Sequence, residues 1–249
     1  MPELVAVEAH EHASVVTLQR ERKLNAISVQ MERELCDVLE LPELRRAPCV
    51  VFTGGPRVFS AGADLNEMRG LDPAAIVSYY GATGNFAERI ADLPQPTFSA
   101  IAGYCLGGGL ELALATDFRI AEAGAVLGLP EIGLGILPSS GGIQRLVRQL
   151  GPTRAKELIL LRERIDAVEA QRMGLITEVV DAGTALTRAL ELAARLAALP
   201  ELAVRVTNEV IDSMAETSRT AGLALERLAY ALLAQTADAK DATAARLGR

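Results

Sequence analysis

Apolar residues near the start of the chain fall in short β-branched runs, and residues 4–8 and 14–19 (SVVTLQ) predict two strands. Met31, Leu35, Val38 and Leu39 then recur at helical spacing behind Ser28, a residue suited to cap a helix. A buried strand is predicted at 49–52 (CVVF), followed by a loop of glycines and small residues through 53–63. Helical patterns cover 64–70 and 73–92, with Asp72 before Pro73 as a start signal. A strand at 96–102 runs into Gly107, Gly108 and Gly109, which open a helix at 109–116. Short strands are expected at 117–121 and 126–129. After a second Gly-rich stretch the pattern is helical over 140–160, with a short helix at 167–173 and a strand at 175–180.

Helical stripes alone finish the chain: Leu186, Leu190, Ala193 and Ala197, then Leu225, Leu228 and Leu232. The alanine-rich end, 234–249, reads as a poorly ordered tail. Strand and helix alternating first, with helices after, predict an α/β core over 1–182 and an α-helical subdomain over 183–249.

Composition narrows the chemistry. At 249 residues, 50% of them hydrophobic, the chain can bury a full core, which argues against disorder. No apolar run approaches the roughly 20 residues that span a bilayer. The N-terminus MPELVAVEAHEH lacks the basic flank and apolar stretch of a signal peptide, so a cytoplasmic location is expected. A net charge of −7 without dense Lys/Arg runs argues against a nucleic-acid surface. Cys36, Cys49 and Cys105, odd in number and irregularly spaced, suit reduced, buried thiols. The only histidines, His10 and His12, are close to the N-terminus, so neither a His-based triad nor a zinc site is expected.

Three segments remain for chemistry: VFSAGADL (58–65), GYCLGGGLELA (103–113) and GLPEIGLGILPSSGG (128–142). Small residues let a backbone approach a ligand closely and leave amides free, above all at a helix start. Two such amides would make an oxyanion hole, where a single donor is worth about 3–4 kcal/mol in a transition state. Glu111 and Glu131 add two carboxylates, and no nucleophile–His pair accompanies them. Proton transfer beside a carbonyl fits this set better than acyl transfer does. Singly, each piece has a plainer reading: a tight turn, a glutamate compensating a helix dipole, a solvated loop glutamate, an Asp64 helix cap. Their joint occurrence favours the chemical one.

Together the segments resemble the crotonase (enoyl-CoA hydratase/isomerase) superfamily. RERKLNAIS (20–28) resembles its CoA-binding segment, FSAGADLNEM its first oxyanion segment and GYCLGGGLELALATDFRIA its second. LGLPEIGLGILPSSGGIQRL resembles the segment carrying the second acid, and DAVEAQRMGLITEVVD (166–181) a later helix–strand signature. The resemblance runs from about residue 3 to 181. It implies the crotonase (ClpP/crotonase-like) fold, a spiral of ββα units with an α-helical C-terminal oligomerisation subdomain, assembled as trimers or hexamers.

For the site, the resemblance implies that the Ala63 and Gly108 amides hold a thioester oxygen. Arg22, Lys23, Leu24, Ala26, Ala61, Asp64 and Leu65 would line coenzyme A, which enters as part of the substrate; no separate cofactor is expected. Glu111 would take a proton from water attacking C3 of a trans-2-enoyl-CoA, and Glu131 would protonate C2, with a proton shared by the pair as the alternative description. Glu131 needs a raised pKa for that role, and Leu127, Leu129, Ile132 and Leu134 suggest an apolar surround.

Three positions depart from the pattern: Ser139 for a frequent glycine, LRERID (161–166) without Thr-Gly, and a C-terminal DAKDATAARLGR without an aromatic. A Δ3,Δ2-enoyl-CoA isomerase is the nearest rival, but it needs only the carboxylate at 131. A non-catalytic acyl-CoA-binding member would tend to have lost one or both glutamates.

Overall fold

The structure is a computed structural model that describes residues 3–68, 74 and 85–248. Its strands, in chain order, are β1 (Val5–Ala9), β2 (Ser14–Leu18), β3 (Val50–Thr53), β4 (Thr97–Ile101), β5 (Tyr104–Leu106), β6 (Phe118–Glu122), β7 (Val126–Gly128), β8 (Ile165–Asp166) and β9 (Glu178–Val180). They form two sheets, one of six strands ordered β1-β2-β3-β4-β6-β9 and one of three ordered β5-β7-β8. β1 and β2 make an antiparallel hairpin, and every later pairing in the large sheet is parallel.

Parallel strands covered on both faces read as unbroken apolar runs, which is why CVVF carries no alternation. In β3, Val50 and Phe52 face one core cluster and Val51 the other. The first face is covered by helix Val29–Val38, through Met31 and Leu35, and by helix Phe86–Ala91, through Phe86 and Ile90. The Ser28 side chain caps the former, accepting from Met31 N at 3.2 Å. Helix Ala185–Ala197 covers the second face with Ala185, Ala189 and Ala193. Alanines, rather than the leucines of the same helix, meet the sheet because a small side chain permits the closest approach. Leu186 and Leu190 pack at the rim, partly buried.

The chain turns sharply from the large sheet into the small one. β4 passes to β5 through Gly103, whose φ of +57° and Cβ position 2.2 Å from Arg57 O admit only glycine. β5 and β7 then run in parallel, Leu106 opposite Gly128. The chain leaving β5 at Gly107 and Gly108 and the chain leaving β7 at Pro130 and Glu131 line one cleft.

Several expectations shift. The 140–160 helix is Gly142–Lys156 with a break at Gly151 (φ +79°) before Pro152, followed by a π-helical turn Glu157–Leu161. The end of the chain is not a loose tail but a helix, Ala237–Leu247, because alanine favours helix and Thr236 caps it by accepting from Ala239 N. The 175–180 strand is shorter, Glu178–Val180. Of the helices expected over 64–70 and 73–92, Leu65–Met68 and Phe86–Ala91 are present; the Asp72–Pro73 start lies outside the described residues. All three cysteines are buried, and none is in a disulfide among the described residues. Among the described residues no helix is long and apolar enough to cross a membrane, and no cluster of metal-ligating side chains occurs.

Candidate active site

The first builder of the site is the loop after β3. Asn25, held in the left-handed region at φ +50°, is fully buried, and its Nδ2 donates to the carbonyls of Gly54, Val58 and Phe59. Its own carbonyl accepts from the Ser60 hydroxyl at 2.8 Å, and Ser60 Oγ accepts from Gly62 N at 3.1 Å. Gly62 O and Asp64 N then bond to the backbone of Ile27, leaving the intervening Ala63 amide outside this ladder. The loop is tied down residue by residue up to Ala63.

The second builder is the turn from β5 into helix Gly108–Leu114. Gly107 N donates to Gly128 O, whereas Gly108, at the first helical position, has no intrahelical acceptor. The two loops touch. A Cβ on Gly62 would stand 3.4 Å from Gly108 N, and one on Gly108 would stand 3.6 Å from Ala63 N. Residues 45 positions apart in sequence thus bring two amides to one spot.

Glu111, in the first turn of that helix, is only 3% exposed. Its Oε1 accepts from Ser140 N at 2.7 Å and Gly142 N at 3.0 Å, and the Ser139 amide also faces it. Burial pushes its carboxyl above the usual range, while the Gly142 and Ser140 amides and the Arg145 guanidinium oppose that rise. Glu131 lies in the 3-10 turn Pro130–Leu134, directly after β7. Its Oε2 is buried and accepts no hydrogen bond from the described residues. Burial, reinforced by the Glu111 carboxylate, raises it to about 7. Two glutamates of one site are therefore in unlike surroundings, one solvated by the amides of a neighbouring turn and the other with only its own amide to oppose burial and with Oε2 unpartnered.

One cleft gathers these groups: Ala63, Gly108, Glu111 and Glu131 line it together. It encloses about 770 Å³ of empty space, part of it open to solvent. Its apolar wall is Leu65, Phe86, Leu134, Ile136 and Leu137. Of the leucines and isoleucine expected around Glu131, Leu127 and Leu129 are core residues, Leu134 lines the cleft and Ile132 is exposed. The Ser139 position also faces the cleft.

The segment expected to meet coenzyme A is less uniform. Ala61 and Leu65 line the cleft. Arg22 and Lys23 are exposed on the 3-10 turn Glu21–Lys23, and Leu24 follows at φ +52°, half exposed. The Ala26 carbonyl accepts from Arg20 Nη1, and the Asp64 carboxylate pairs with the same guanidinium at 2.7 Å. That pairing holds Asp64 below its ordinary carboxylate range and commits it to the fold. Sequence reasoning missed Asn25, Ser60, Ser140, Gly142 and Arg145. All five lie inside quoted motifs, and Ser140 and Gly142 adjoin Gly141, but the pairing of Ser60 with Asn25 has no trace in spacing.

A spiral of strand pairs with two amides and two carboxylates at one mouth defines the crotonase class of protein. The chain belongs to the enoyl-CoA hydratase/isomerase family, whose model matches residues 8–246. YngF of Bacillus subtilis, provisionally named an enoyl-CoA hydratase/isomerase, is 41% identical over 93% of this chain and 90% of its own length. The 2,3-dehydroadipyl-CoA hydratase of Escherichia coli is 37% identical over 98% of this chain and 95% of its own. The crystal structure of the enoyl-CoA hydratase from Bacillus anthracis superposes with a TM-score of 0.91 at 36% identity, covering 99% of this chain and 96% of that one. The crotonase fold expected from the sequence is the fold observed, C-terminal helices included.

Proposed function

We propose that this protein hydrates trans-2-enoyl-CoA to 3-hydroxyacyl-CoA. The observation that carries the reading is that Glu111 and Glu131, from separate segments, line the cleft into which the Ala63 and Gly108 amides open. In this reading the thioester oxygen sits between those two amides, which hold the enolate charge that builds as water adds. Unlike surroundings divide the labour of the two carboxyls. Glu111, with amide donors and Arg145 favouring its ionised form, takes a proton from water as the oxygen bonds to C3. Glu131, raised to about 7 and with a bare Oε2, gives its proton to C2. One water is added in all, and the proton left on Glu111 restores Glu131 before the next turnover. Ala61, whose amide donates to Leu24 O, and Leu65, with the exposed Arg22 and Lys23 that precede Leu24, are proposed to meet the coenzyme.

A glutamate at both positions favours hydration over double-bond migration, which needs one. The test follows the conjugated thioester absorbance of crotonyl-CoA and of a longer 2-enoyl-CoA with purified protein. Loss of that absorbance, with 3-hydroxyacyl-CoA as product, supports the reading. Conversion of 3-enoyl-CoA to the conjugated isomer without hydration would make it an isomerase. Leu228 and Leu232 of helix Arg219–Leu233 are exposed in the single chain, and burial of that face in a homotrimer or hexamer is proposed, to be checked by light scattering.

A further inference from the structure

Arg145 lies one turn inside helix Gly142–Lys156 and reaches back over the helix start. Its Nη1 donates to Ser140 O at 3.0 Å. Its Nη2 donates to Glu88 Oε1 at 2.8 Å and to Ala87 O at 3.3 Å, both on helix Phe86–Ala91. The side chain is only 13% exposed. The turn it grips is the one whose Ser140 and Gly142 amides bond Glu111 Oε1. The turn is also built around it. Gly141 stands at φ +90°, and a Cβ there would fall 2.1 Å from Arg145 Nη1. A Cβ on Gly142 would fall 2.9 Å from Glu111 Oε1.

We propose that Arg145 is a positioning residue for the Glu111 carboxylate, clamping the 140–142 turn to helix Phe86–Ala91 so that its amides stay aimed at Oε1. It rests on the hydratase reading for its kinetic consequence, but not for its geometry. A planar guanidinium can bridge two carbonyls and a carboxylate at once, which an ammonium on a flexible stem does not do. Arg145 also supplies the positive charge closest in effect to Glu111, against which stand the Glu131 carboxyl across the cleft and Glu32 on its wall. Glu88 anchors the far side of the clamp and shares its charge. The clamp therefore does two separable things: it fixes the amides and it favours the ionised base.

The experiment compares wild type with Arg145→Lys, Arg145→Gln and Glu88→Gln, each first shown folded by thermal unfolding. In Arg145→Gln, kcat for hydration should fall roughly tenfold with KM changed less than about twofold, short of the ~10²-fold that a 1 Å misplacement costs. The acid limb of its pH profile should move to higher pH, because a base that has lost its cationic neighbour is harder to ionise. Arg145→Lys keeps the charge and loses the fork, so it should lower kcat and move that limb less than Arg145→Gln does, by the part owed to loosened amides. Glu88→Gln should give a smaller kcat loss. Independently of turnover, the Glu111 carboxyl is titrated by carbon NMR of labelled glutamate, assigned with Glu111→Gln, and should move up most in Arg145→Gln and less in Arg145→Lys and Glu88→Gln. A folded Arg145→Gln with wild-type kcat, acid limb and carboxyl titration would overturn the proposal. If the wild type hydrates no enoyl-CoA while the carboxyl titration moves as stated, the functional reading fails and the positioning role stands.

Discussion

Glu131 Oε1 lies 3.0 Å from the point at which a side chain on Gly107 would place its first carbon. The carboxylate thus rests on bare backbone at the start of the helix that carries Glu111. Gly107 is needed twice over, since its φ is also +51°. Gly107→Ala should push Glu131 out of register and strain the turn. The expected outcome is a loss of roughly 10²-fold in kcat/KM, with about 1–3 kcal/mol lost in chemical denaturation. Near-normal turnover in this variant would show that the contact does not set the position of Glu131.

Replacing either glutamate should remove a proton-transfer group while keeping shape. Glu111→Gln and Glu131→Gln are each expected to lower kcat by at least about 10²-fold. The double variant should lose little more than the worse single one, because groups acting on one water are not additive. Initial rates with crotonyl-CoA decide this, and simple multiplication of the two losses would count against a shared transition state.

Glu131 ties activity and stability to pH in the same window. Its carboxyl is raised from an ordinary 4.5 to about 7, so between those values the folded state binds a proton that the unfolded chain has lost. Stability contributed by this group is therefore complete below about pH 4.5 and declines as pH rises to about 7, by about 3 kcal/mol at most and less where solvent screens the carboxyl. Glu131→Gln should flatten that decline in urea midpoints measured across the window. In the wild type, kcat/KM should fall above about pH 7 as the acid loses its proton. A wild-type profile without a descending limb would remove Glu131 from the role of acid.

Asn25 anchors the loop that ends at Ala63. Asn25→Ala deprives the Gly54, Val58 and Phe59 carbonyls of their donor and places an alanine at φ +50°. A loss of about 3 kcal/mol in stability is expected, with a further drop in kcat as the Ser60–Gly62 link loosens. Asn25→Gly should recover only the part due to backbone strain. Thermal and urea unfolding of both variants, alongside turnover, separate the two contributions.

Much of the architecture was open to a reading of patterns. CVVF, the Ser28 cap and the stripe behind it report local preferences that burial reinforces, and the structure has the corresponding strand and helix. Less local features escaped. β5 and β8 are three and two residues long, too short for any periodicity, and exist only because β7 pairs with both. In helix Ala185–Ala197 the stripe read as Leu186, Leu190, Ala193 and Ala197 has only Ala193 fully buried, and contact distance to the sheet selected Ala185 and Ala189 beside it. The alanine-rich end of the chain read as a loose tail, and a cap with good propensity sufficed to make it helical.

The amino-acid order by itself determined the family, the α/β class and the segments that line the cleft, because glycines, caps and apolar periods act within a few residues of themselves. Only the tertiary structure decided that the loop ending at Ala63 meets the turn at Gly108, that Glu111 is solvated by the amides of residues 140 and 142, and that Glu131 Oε2 is buried without a donor among the described residues. Those relationships join residues tens of positions apart, and the free energy that sets them is burial and hydrogen bonding summed over the whole core, which no local stretch of sequence contains.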